Sequence, residues 1–81
     1  MSEQPESALA VAERHVREGE AHVARQTALI EELGRDNHPA AAAAGREVLA
    51  TLQRTLELMR EHLRAERILS RHRDAPGGSS P

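Results

Sequence analysis

Five histidines, His15, His22, His38, His62 and His72, are the residues of this chain with the most chemical promise. A neutral imidazole can ligate a metal or relay a proton near neutral pH, and a carboxylate beside it fixes its orientation. His15 and His22 stand seven apart. In a helix they share a face but lie about 10 Å apart along the axis, too far to hold one ion. Glu18 falls between them, three after His15 and four before His22, so its carboxylate can meet either ring. If the chain folds back near residue 36, His62 comes within a turn of His15. His15, Glu18, His22 and His62 are then the candidate ligands of a metal-binding bundle. The pattern stops short of the carboxylate-bridged di-iron bundles, which carry Glu-x-x-His on two helices; that spacing occurs nowhere in the sequence. The expected state is a metal-free protein whose histidines pair with nearby glutamates.

Other reactive groups are missing. No cysteine is present, hence no disulfide, thiolate nucleophile or thiolate metal site. There is no lysine for a Schiff base, no glycine-rich phosphate loop, and no serine or threonine with a convincing base and orienting acid. These absences predict a protein that is not an enzyme and carries no cofactor. Arg60, Arg64, Arg67 and Arg71 follow one another at steps of four, three and four, a stripe that would suit phosphate or an acidic protein surface. Glu57, Glu61 and Glu66 interleave with it, and no aromatic ring is available to stack on a base. A small nucleic-acid-associated regulator is therefore the weaker of two alternatives to an interaction protein, the metal-binding bundle being the other.

The elements that position these residues are read from apolar spacing. Leu49, Leu52, Leu56, Met59 and Leu63 recur at alternating steps of three and four, one stripe of a helix. Leu9, Ala12, Val16, Gly19, Val23, Gln26, Ile30 and Leu33 keep the same rhythm in the first half. Two such seams predict an all-α fold, an antiparallel, coiled-coil-like helical hairpin over residues 5–73. Helix 1 is expected over about 5–33, the turn over 34–38 and helix 2 over about 39–72. A frayed start is expected over 1–4 and a disordered tail over 74–81. Pro5 and Pro39 suit first helical turns, Gly34 suits the left-handed residue that ends helix 1, and Asp36 or Asn37 can cap helix 2. Glu13 with Arg17 and Glu31 with Arg35 are acid-first pairs four apart. Gly19 either weakens the helix interior by about 1 kcal/mol or lets another helix approach closely, the preferred reading, and the alanines at 40–44 supply helix propensity or tight packing near the hairpin tip.

Helix 2 has a second stripe, Leu58, His62, Ala65 and Leu69, continued by His72 and flanked by Ile68. One neighbouring helix cannot cover both stripes. Eighty-one residues without Phe, Tyr or Trp also give a lone hairpin little area to bury. Both points predict association, either a homodimeric four-helix bundle or docking onto a helical partner. The interaction seam is expected to comprise Val16, Val23, Ile30 and Leu33 with Leu49, Leu52, Leu56, Met59 and Leu63. Residues 1–36 hold eight acids against four arginines, a balance of −4, and residues 37–81 hold five against seven, a balance of +2. Folded back, the two halves attract modestly, and the mixed charge speaks against a uniformly basic nucleic-acid binder. No apolar run is long enough for a membrane span and the N-terminus lacks the apolar core of a secretory signal, so the cytoplasm is the expected compartment.

The stretch AERHVREGEAHVARQTALIEELGRD, with the later LATLQRTLELMREHL, resembles a set of short bacterial proteins of the same two-helix layout. The matching positions are Arg14, His15, Gly19, Glu20, Arg25, Gln26 and Gly34, and the resemblance covers about residues 12–69. His38-Pro39 stands where those proteins have Asp-Thr, a departure that bears on capping. The resemblance implies a small self-contained helical protein and brings no activity with it. The expected role is a non-enzymatic interaction or assembly module.

Overall fold

A computed structural model describes residues 6–74, which form two helices, α1 (Ala8–Arg35) and α2 (Pro39–Asp74), packed against each other with no strand among the described residues. The expected fray at 1–4, the role of Pro5 and the tail at 75–81 lie outside the described residues. Asp74, assigned to the tail by its sequence surroundings, is the last residue of α2.

Helix α1 begins at Ala8 rather than at Pro5, because Ser7 takes the cap: it has extended backbone, and its Oγ accepts from the Ala10 N–H at 3.0 Å. That bond satisfies one of the donors a helix start leaves open. Its other end differs from the glycine-based expectation. Gly34 stays helical, and Asn37 takes the left-handed conformation at φ 62°. His38 N–H donates to the Leu33 carbonyl at 2.9 Å and Asn37 N–H to the Gly34 carbonyl at 3.2 Å. This pair of bonds is the Schellman ending, which needs a left-handed residue just past the helix, and asparagine tolerates that conformation better than most. The His38 carbonyl then accepts from Ala42 N–H at 2.9 Å. His38, not Asp36 or Asn37, therefore occupies the cap position of α2, with Pro39 as its first residue.

The core is thin. Ala12, Val16, Leu56 and Leu63 are buried together, with Leu9, Val23 and Met59 partly buried against them. Two glycines bring the helices close. A Cβ on Gly19 would stand 3.1 Å from Leu56 Cδ1 and 3.2 Å from Met59 Sδ, and one on Gly45 would stand 3.0 Å from Ile30 Cγ1 and 3.3 Å from Gln26 Nε2. The Gly45 approach explains the polar residue in the seam: Gln26 Nε2 donates to the Gly45 carbonyl at 3.0 Å, crossing from α1 to α2. A seam glutamine is tolerable because its amide is satisfied.

Surface ion pairs follow another pattern than the expected one. Arg14 pairs with Glu6 at 2.8 Å and with Glu18 at 3.8 Å, and Arg60 pairs with Glu20 across the helices at 3.3 Å. Glu13–Arg17 and Glu31–Arg35 do not close among the described residues. Exposed pairs contribute at most about 1 kcal/mol, so side-chain entropy decides which of them form.

Candidate functional site

Of the nine residues expected in the seam, Val16, Leu56 and Leu63 are buried and Val23, Ile30, Leu33, Leu49, Leu52 and Met59 are half-buried; Val23 and Met59 pack against the buried cluster that holds Val16, Leu56 and Leu63. Glu66 joins them unexpectedly. It sits one turn beyond Leu63 on the same stripe, its side chain is only 13% exposed, and Arg73 and His62 stand 3.9 Å from its two oxygens. Its Oε1 is enclosed without a hydrogen-bond partner among the described residues. The sequence reading placed Glu66 among the acids of the arginine stripe; the three-four count from Met59 and Leu63 is the signal that would have found it.

The second stripe stays on the surface. Leu58, His62, Ala65 and Leu69 are all exposed, Leu58 at 65%. Counting back from Leu58 by the same steps gives Thr55, Thr51, Val48, Ala44 and Ala41, every one exposed. From Ala41 to His72 this stripe carries no Arg, Asp or Glu. Alanine and threonine carry little hydropathy signal, which is why the sequence alone yields just its C-terminal half.

Where this stripe lies relative to α1 follows from one contact. Arg60 comes directly after Met59, Glu20 directly after Gly19, and the two side chains meet on one side of the hairpin. In two antiparallel right-handed helices, residues that follow seam positions project from one side and residues that precede them from the other. Leu29, Val48 and Leu58 each precede a seam position, and Leu69 precedes half-buried Ser70, which continues the seam spacing four residues past Glu66. Among the described residues, four of the five exposed large apolar side chains, all but Ile68, therefore share one open face. On the α1 half of that face lie Val11, His15, Glu18, His22, Arg25 and Leu29. The opposite side carries Arg60 and Glu20 with their charged neighbours.

The histidines of the expected metal pocket are on the open face and do not converge. His15, His22 and His62 are exposed. Among the described residues no three His, Asp or Glu side chains are grouped to hold an ion. Each of these histidines occupies a position about 100° around its helix from a seam residue. His22 Nδ1 accepts from the Arg25 guanidinium at 2.8 Å. Arg60, Arg64, Arg67 and Arg71 line the other side, half-buried at Arg60 and exposed at the rest. No cleft of ligand size exists among the described residues, and no described helix is long and apolar enough to cross a membrane. The open face thus has an uncharged half on α2 and a polar half on α1. No family model, curated protein or solved structure matches the chain.

Proposed function

We propose that this chain is a cytoplasmic, non-enzymatic assembly module, a helical hairpin that associates through its open face into a homodimeric four-helix bundle. The observation that supports this reading is the gathering of Leu29, Val48, Leu58 and Leu69 on one side of a molecule whose interior buries few large side chains. Exposed apolar side chains scattered singly are ordinary on a protein surface; a file of them on one face marks an interaction site. The thin core supports it further, because a hairpin of two helices has too little buried area to be stable alone and gains stability from anything that binds the folded form. Light scattering coupled to size exclusion tests it, with a mass of twice the 8.9 kDa chain expected. A stable, cooperatively folded monomer would overturn it.

A further inference from the structure

Resting on that self-assembly, we infer how the two copies are arranged: they pack face to face about a two-fold axis running across the helices. The α2 stripe of one copy then runs antiparallel along the α2 stripe of the other, and the two hairpin tips point in opposite directions.

A face-to-face two-fold has two forms. With the axis along the helices, each α2 lies on the partner's α1, and the uncharged α2 stripe is pressed against Glu18 and Arg25. Charges desolvated without a partner cost several kcal/mol each. With the axis across the helices, α2 meets α2 and α1 meets α1, so uncharged surface covers uncharged surface. Polarity selects the second form.

Side-chain size selects its register. Centred midway between Thr55 and Leu58, the stripe sets Leu58 opposite the partner's Thr55, and Val48 opposite the partner's Ala65. Leu69 falls opposite the partner's Ala44. Each bulky apolar residue thus meets a small or short one, the alternation that lets facing layers interlock. Sliding by one heptad toward the tips would set Val48 on Leu58 and leave Leu69 beyond the partner's helix. The α1 side plays no part in this choice and agrees with it. Gly19 lies level with Leu56 and Met59, so the same axis crosses α1 beside Gly19. It sets Val11 opposite the partner's Leu29, and Glu18 opposite the partner's His22, whose ring is bonded to Arg25. An apolar pair and a carboxylate–imidazole pair both come out of an axis fixed by α2 alone.

The absence of cysteine makes the test clean, since a single introduced thiol carries the only label. Asp36→Cys at the exposed turn, spin-labelled, reports the tip-to-tip distance of the dimer by pulsed dipolar spectroscopy. From the axis to each tip is about 19 residues of helix, so about 55 Å is expected between labels. A dimer with its labels within about 25 Å, the width of two or three helices, overturns the arrangement while leaving self-assembly standing. A protein that stays monomeric at every concentration overturns both. Leu58→Glu, at a site exposed within the hairpin, should weaken dimerisation at least a hundredfold, or about 2.7 kcal/mol, with helicity by circular dichroism retained at high concentration. Gln53→Glu, on the charged side, should leave it unchanged. Equal effects of the two variants would also overturn the placement.

Discussion

Single positions near the turn separate helix propensity from special backbone. Gly34 is helical, and a Cβ there would meet nothing within 4 Å. Gly34→Ala should therefore raise stability by about 1 kcal/mol, the propensity difference between the two residues. Asn37 holds the left-handed conformation, and Asn37→Ala should cost about 1 kcal/mol or more. Had Gly34 been the left-handed residue, as glycine's usual place at helix ends suggests, the sign at that position would be reversed; thermal melts of the two variants decide. The seam glycines form a second pair. A methyl at Gly19 presses on the flexible ends of Leu56 and Met59, which can yield, so the propensity gain offsets the crowding and Gly19→Ala should be near neutral. At Gly45 it presses on Ile30 Cγ1, stiff because isoleucine branches at Cβ, and displaces the Gln26 amide from its carbonyl. Gly45→Ala should lose about 1–2 kcal/mol in a urea titration.

At the scale of the helices, the seam was legible because leucine, isoleucine and valine at steps of three and four announce a face directly, and Val16, Leu56 and Leu63 are buried together with Val23 and Met59 packed against them. What stayed hidden are the positions where the rhythm continues through residues of another chemistry. Glu66 keeps the seam's spacing with a carboxylate, and charge led the reading to put it on the surface. Leu29 and the Thr and Ala positions of the α2 stripe are exposed or small and carry no seam signal. The ends of the turn are not legible in the sequence, because hydrogen bonds among residues 33–38, invisible in composition, decide which residue turns left-handed. Glu66 also supplies a prediction for the helix pair. An enclosed carboxylate oxygen lacking a hydrogen bond costs about 1–3 kcal/mol, and the 3.9 Å approaches of His62 and Arg73 only partly offset it. Glu66→Leu should extend the leucine seam and raise the urea midpoint by an amount worth about 1 kcal/mol. A fall would mean that the carboxylate is better satisfied than its surroundings indicate.

For the molecule as a whole, an apolar face left open and a thin interior are two sides of one arrangement. In the proposed dimer, mass action would make stability concentration-dependent, the associated form being favoured where copies are abundant. Raising the protein concentration a hundredfold should raise the melting temperature by several degrees, and Leu58→Glu should abolish that dependence. His15, His22 and His62 are exposed on the open face, where the proposed second copy would supply neighbours that the hairpin alone does not. The most direct measurement is sedimentation equilibrium of the intact chain from low to high micromolar concentration. A reversible transition from the 8.9 kDa chain to twice that mass, lost in Leu58→Glu, is the predicted result. A single 8.9 kDa species that unfolds cooperatively at a temperature independent of concentration would contradict the account.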